Sequence, residues 1–131
     1  MTRLNIYLER LENTLRSRQE LMVLTLLSRL FNGIGNFRAQ VRFYEASVLT
    51  IREELEEFVH SHRIERTKYV FHYQSADGAL IFRYDNSPHY PDLPTFPSHK
   101  HTADGVIAAE APDLAAVLRE LMFRTDWRTL V

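Results

Sequence analysis

The chain has 131 residues, of which 45% are hydrophobic and 25% charged, and it contains no cysteine. This length and composition fit one globular domain spanning residues 1–131. The lack of cysteine excludes disulfides and thiolate metal ligands. The 17 acidic residues nearly balance the 16 lysines and arginines, which excludes a chain-wide charge that would attract nucleic acid.

No segment of the sequence predicts export or a membrane span. The first residues lack the apolar core of a signal peptide. The longest apolar-rich stretch, at residues 21–31, is interrupted by polar residues and is shorter than the roughly 20 residues that cross a bilayer. The sequence therefore predicts a cytoplasmic protein with no membrane partner.

The first half of the chain predicts one helix followed by antiparallel strands. Residues 2–17 repeat apolar side chains at helical spacing behind Thr2, a suitable N-cap. Residues 21–31 predict a strand buried on both faces, although a short helix also fits. An Asn-Gly turn at residues 32–36 leads to strict alternation over residues 37–44, which is typical of a half-buried strand. Residues 47–59 begin like a strand, and their end fits either a strand or a helical stripe.

The second half predicts a hairpin, a long loop and a closing helix. Residues 64–74 and 79–85 are strand-like, and the turn between them ends in Asp-Gly. A short strand is expected at residues 106–108, and Pro112 suits the first turn of a helix. The sequence therefore predicts an α+β fold: an antiparallel meander of about five strands with both terminal helices packed on one face.

Prolines recur at every third position of the loop at residues 86–101. They are Pro88, Pro91, Pro94 and Pro97. Because polyproline II has three residues per turn, this spacing predicts an extended segment with Tyr90, Leu93 and Phe96 along one apolar edge. Such a loop either stiffens a surface crossover anchored by these side chains or serves as a ligand for a peptide-binding domain.

The same loop carries polar side chains that suit phosphate chemistry. Metal-independent RNA cleavage needs a base for the 2′-hydroxyl, an acid for the leaving oxygen and a cation for the phosphate. The candidate catalytic residues are His89, His99, Lys100 and His101. The candidate substrate-binding residues are Arg83, Asp85, Asn86 and Tyr90. Residue types alone favour a plainer interpretation, in which the arginine and the aspartate form an ion pair and the histidines are solvated.

The spacing of the histidines also fits a metal site. In an extended chain His99 and His101 point to the same face, and His89 could supply a third nitrogen. No glutamate lies close by in the sequence to complete the ligand set. His60 and His62 have the same spacing with less support from their surroundings. We therefore predict no metal and no cofactor.

The sequence from residue 82 to residue 101 reads F-R-Y-D-N-S-P-H-Y-P-D-L-P-T-F-P-S-H-K-H. It resembles the pattern F-R-Y-D-N-x-P-H-H…T-F-P-x-H-K-H of the TumE-like toxin family of prokaryotic toxin–antitoxin pairs. Tyr90 departs from this pattern, which often has a second histidine there. The matching residues are Asp85, Asn86, Pro88, His89, Phe96, Pro97, His99, Lys100 and His101. The resemblance implies a growth-inhibiting protein that is neutralised by a DNA-binding antitoxin.

Two functions are compatible with these observations. In the first, the protein is a toxin that cleaves RNA without a metal, using the loop histidines and Lys100. In the second, it is a non-catalytic module that docks a partner protein or a nucleic acid through residues 86–101. Histidines clustered in an open cleft would favour the first, and an exposed apolar face on the loop would favour the second.

Overall fold

A computed structural model describes residues 2–124. The elements in chain order are α1 (Arg3–Arg16), β1 (Leu21–Phe31), β2 (Ile34–Phe43), β3 (Val48–Glu57), β4 (Ile64–Gln74), β5 (Leu80–Asp85), β6 (His99–Thr102), β7 (Gly105–Ala108) and α2 (Leu114–Arg124). All seven strands form one sheet in sequence order, and each pairs antiparallel with the next. The α+β meander with terminal helices is confirmed, and the predicted number of about five strands is too low.

Alternation along the strands gives the sheet an apolar face and a polar face. On β2 the buried side chains are Phe37, Ala39, Val41 and Phe43. The buried side chains of α1 and α2 join the same core, namely Leu4, Leu8, Leu11, Leu15, Leu114, Val117, Leu118 and Leu121. Both helices therefore cover one side of the sheet, which we call the inner face. The opposite side is the outer face.

Local signals explain where the elements begin. Thr2 accepts a hydrogen bond from the Asn5 amide and caps α1, as the sequence predicts. β1 and β2 are joined by only two residues, Asn32 and Gly33, with φ of 50° and 74°. Two positive φ values in a row are those of a type I′ hairpin turn, which Asn-Gly adopts at little cost.

Two predictions for the first half need correction. β1 is a strand, but it is the edge of the sheet and is not buried on both faces, since Met22, Leu24 and Leu27 are exposed. The helical alternative for the end of residues 47–59 is wrong. β3 continues to Glu57 because β2 and β4 pair with it on both sides.

The long loop also differs from its prediction. His99 begins β6, so the loop is residues 86–98. Its backbone is a series of turns, in which the amides of Leu93, Phe96 and Ser98 each bond the carbonyl three residues back. Polyproline II has no internal hydrogen bonds, so the predicted extended helix is wrong. Proline favours the second position of a β-turn, which Pro91 and Pro94 occupy, whereas Pro97 is third in the turn from Thr95 to Ser98 and follows a cis peptide bond.

The apolar side chains of this loop are not deeply buried. Tyr90 is 37% exposed and Phe96 is 43% exposed. The prediction that Phe96 pins the loop to the core is therefore wrong, and a Phe96→Ala change cannot carry the cost of a fully buried ring. Neither helix within residues 2–124 is long and apolar enough to cross a membrane.

Glu53 is the one glutamate that the inner face buries completely among the described residues. Its Oε1 accepts the Tyr7 hydroxyl, and Arg66 Nη1 lies 3.6 Å from its Oε2. Burial raises the pKa of Glu53, although the bond from Tyr7 and the charge of Arg66 oppose the change. Protonation of this carboxyl therefore favours the folded state.

We expect the Glu53→Gln variant to gain stability relative to the wild type as the pH rises. A raised pKa in the folded state stabilises the protein below the ordinary glutamate value of 4.5, and this contribution is lost as the pH rises through the raised value. Glutamine keeps an acceptor for Tyr7 and does not titrate. Urea unfolding of both proteins from pH 4 to pH 8 measures the difference, with Glu9→Gln on the exposed side of α1 as control. A difference that stays constant with pH would contradict the prediction.

Candidate functional site

The pairing of β5 with β6 brings the predicted polar residues together on the outer face. Asp85 lies opposite His99, and Arg83 lies opposite His101. Opposite residues of an antiparallel pair share a face, as do residues two apart on one strand. Phe82 points into the core, so these four side chains point away from the helices.

Asp85, His99 and His101 form a tight group that we call the outer-face cluster. Nε2 of His99 lies 3.0 Å from Oδ1 of Asp85, and Nε2 of His101 lies 3.4 Å from its Oδ2. The two Nε2 atoms are 3.1 Å apart. Asp85 and His99 are buried, whereas the side chain of His101 is 26% exposed. Solvent therefore reaches the cluster from the side of His101.

Asp85 is held in place by two groups besides the histidines and the strand itself. Arg83 Nε donates to Oδ2 at 2.9 Å, and the Ser87 amide donates to Oδ1 at 3.0 Å. Burial alone would raise the pKa of Asp85, but the Ser87 amide, Arg83 and the adjacent His99 outweigh burial and lower it. The carboxylate is consequently charged at neutral pH.

The orientation of the His99 ring is set by the end of the loop. Its Nδ1 lies 3.0 Å from the carbonyl oxygen of Pro97, which can only accept, so Nδ1 carries a hydrogen. Nε2 therefore faces the cluster. Tyr90 packs edge-on against both imidazoles, with ring centroids 4.8 Å from His99 and 5.9 Å from His101. The loop thus closes one side of the cluster.

His72 extends the polar group along the sheet. It lies opposite Arg83 on β4, and Arg83 Nη1 lies 3.3 Å from its Nδ1. Burial lowers the pKa of His72, and so does the charge of Arg83. Burial likewise lowers the pKa of His101, and Asp85 only partly opposes this. Sequence analysis did not single out His72, although its outward position in an alternating strand beside Arg83 was a usable signal.

Three predicted residues lie away from the cluster. Lys100 points to the inner face, where its Nζ bonds Glu120 of α2 at 2.8 Å. Asn86 bonds the backbone of β4 at Tyr69 and Thr67, so its side chain holds the start of the loop. His89 is exposed and makes no side-chain hydrogen bond within residues 2–124. The structure therefore brings together Arg83, Asp85, Tyr90, His99 and His101.

We expect Lys100→Met to lower stability without disturbing the outer-face cluster. Loss of the ammonium removes the shorter of the two ion pairs of Glu120 and leaves it the Tyr84 hydroxyl and Arg124, whose Nε lies 3.4 Å away. We expect a cost of about 1–3 kcal/mol, as for a lost hydrogen bond to a charged group. Urea unfolding measures the cost, and growth of a bacterial host expressing the variant measures toxicity. Loss of toxicity at unchanged stability would instead place Lys100 in the functional site.

A known protein family matches most of the chain. The family model described as Toxin TumE matches residues 21–126, which include every strand of the sheet and the whole outer-face cluster. No curated protein and no solved structure matches the chain.

Proposed function

This chain belongs to the TumE toxin family, and we propose that it inhibits growth by cleaving RNA at the outer-face cluster. A toxin of this family implies an antitoxin as its partner. That the antitoxin binds DNA, and that both act in the cytoplasm, remain predictions from the sequence. The observation that supports an RNA target is the position of the cluster on an open face of the sheet lined with basic side chains.

The outer face carries positive charge even though the chain as a whole has a net charge of −1. The basic side chains nearest the cluster in the strand register are Arg38, Arg52, Lys68 and Arg83. The acidic residues Asp85 and Glu54 lie among these basic side chains, and each is paired with an arginine of the outer face. Glu56 and Glu65 lie opposite each other at the far ends of β3 and β4. A phosphate backbone could therefore bind near the cluster without meeting an unpaired carboxylate.

A row of paired residues across the sheet, which we call the track, could bind a single strand of RNA. Arg38, Arg52 and Val70 continue the row of Asp85 and His99 across the sheet. At about 4.8 Å per strand, the five residues span about 19 Å. Neither helix covers this track, because the buried side chains of both helices pack against the inner face. An extended RNA could cross it and place one phosphate beside Arg83.

The proposed reaction forms a bond between the 2′-oxygen and phosphorus while the bond from phosphorus to the 5′-oxygen breaks. The 2′-hydroxyl gives its proton to His101, and the 5′-oxygen takes a proton from water. His101 and Arg83 are the groups of the cluster region that RNA could contact, since the His99 ring is only 1% exposed. His99 and Asp85 are positioning residues that hold His101. Two histidines whose Nε2 atoms lie 3.1 Å apart cannot flank a phosphate, so they do not form an acid–base pair across it.

We expect Arg83→Ala to reduce RNA cleavage by about 10²- to 10³-fold, because a preorganised cation is lost from the developing charge. Growth of the expressing host should recover accordingly. The measurements are cleavage of purified RNA by the purified chain and the integrity of total RNA during expression. Arg10→Ala, which removes the same charge from the exposed side of α1, is the matched control and should remain toxic.

Circular dichroism would establish that both arginine variants are folded. Intact RNA in growth-arrested cells that express the wild-type protein would rule out RNA cleavage. Equal cleavage by the two variants would move the site away from Arg83.

Docking of a partner through the loop is a second candidate, supported by the exposed rings of Tyr90 and Phe96. If the loop is the functional element, Phe96→Ala should abolish toxicity while the fold remains stable. We expect a stability loss below about 3 kcal/mol, because the ring is already 43% exposed. Toxicity that persists in Phe96→Ala and disappears in Arg83→Ala would favour the cluster over the loop.

A further inference from the structure

The outer-face cluster has the dimensions of a metal site. Ligand atoms of Asp85, His99 and His101 all lie within 4.8 Å of one another. Nε2 of His99 lies 3.0 Å from Asp85 Oδ1 and 3.1 Å from Nε2 of His101, which lies 3.4 Å from Asp85 Oδ2. Bonds of about 2.0–2.1 Å to one ion place two ligand atoms about 2.9 Å apart at a right angle and about 3.4 Å apart at the tetrahedral angle. The observed separations match this range.

No placement of hydrogens satisfies all three contacts among Asp85, His99 and His101. Nδ1 of His99 uses its hydrogen on the Pro97 carbonyl, so Nε2 has at most one hydrogen for two neighbours, Asp85 and His101. If both Nε2 atoms donate to Asp85, two N–H groups face each other at 3.1 Å. If His101 donates to His99, a lone pair of His99 faces the carboxylate at 3.0 Å. Both assignments leave two donors or two acceptors facing each other, whereas a cation between the three groups satisfies them all.

We propose that Asp85, His99 and His101 bind one divalent transition-metal ion, with zinc as the best fit. Two imidazoles and one carboxylate with an open side form a ligand set that suits zinc, and also iron or nickel. The surrounding groups orient the ligands as metal sites require: Pro97 fixes the His99 tautomer, and Arg83 and Ser87 fix the carboxylate.

Open coordination positions lie on the solvent side, next to Arg83. The side chain of His101 is 26% exposed there, and Tyr90 closes the side of the loop. An ion with three protein ligands keeps room for water or a phosphate oxygen, which is the arrangement of catalytic zinc sites. This site goes beyond the proposed RNA cleavage, because ion binding is measured on the purified chain alone. Chemistry at such an ion would take the place of the metal-independent RNA cleavage that the sequence suggests.

The test is calorimetric titration of the purified full-length chain, freed of metal by chelation, with Zn²⁺. We expect one ion per chain in the wild type. His101→Ala, which removes the exposed ligand, should weaken binding by at least about 100-fold, since even the loss of an outer partner costs 10- to 100-fold. The matched control is the double variant His60→Ala and His62→Ala. These exposed histidines have the same spacing outside the cluster, and their loss should leave binding unchanged.

Cobalt supplies a second readout that needs no variant. Wild-type protein with Co²⁺ should show the visible absorption of a low-symmetry nitrogen–oxygen site, and added Zn²⁺ should abolish it. No binding to the wild type, or equal binding by wild type and His101→Ala, would overturn the site. RNA cleavage by a wild-type protein that binds no zinc would overturn the site and leave the proposed function standing. Zinc binding with intact RNA would support the site and refute RNA cleavage.

Discussion

The pairing of β5 with β6 is the constraint on which the candidate site depends. It places Asp85 opposite His99 and thereby closes residues 86–98 into a loop that starts and ends at the cluster. Closing a flexible loop costs conformational entropy. Prolines reduce that cost because they restrict the unfolded chain, and the successive turns use their fixed φ. The loop prolines therefore favour the pairing of the loop's two ends.

Alternation along β6 divides its side chains between two tasks. His99 and His101 point outward to Asp85, whereas Lys100 points inward and joins α2 through Glu120. Lys100 therefore links α2 to β6, the same strand that positions the two histidines. This explains why these three consecutive polar residues do not lie on one face of the sheet.

Much of the fold could be predicted because strong local patterns decide it. The helical stripe of α1, the Asn-Gly turn and the alternation of β2 each depend on a few adjacent residues. β6 could not be predicted in this way, since four polar residues carry no strand signal and become a strand only by pairing with β5. The edge position of β1 likewise follows from the topology and not from its apolar composition.

The candidate site could be predicted as a set of residues but not as an arrangement. Five of the eight proposed residues meet on the outer face, because a short strand with histidines two apart presents both to the same side. The metal interpretation found no glutamate near the histidines in the sequence to serve as a carboxylate ligand. Asp85 supplies it from the neighbouring strand. Residue spacing along the chain does not reveal contacts between residues on neighbouring strands.

Two buried carboxylates show why the outer-face cluster differs from an ordinary buried polar group. Burial raises the pKa of Glu53 on the inner face, because the Tyr7 hydroxyl and Arg66 at 3.6 Å do not fully offset the effect of burial. Asp85 on the outer face is surrounded by a backbone amide, Arg83 and two imidazoles, and its pKa is lowered. A carboxylate that only filled space would be cheaper to bury as the neutral acid. The fold instead keeps Asp85 negatively charged beside two imidazole nitrogens. The His99 ring is fixed by Pro97, and Tyr90 packs against both rings. A buried anion held in this way is a suitable ligand for a cation.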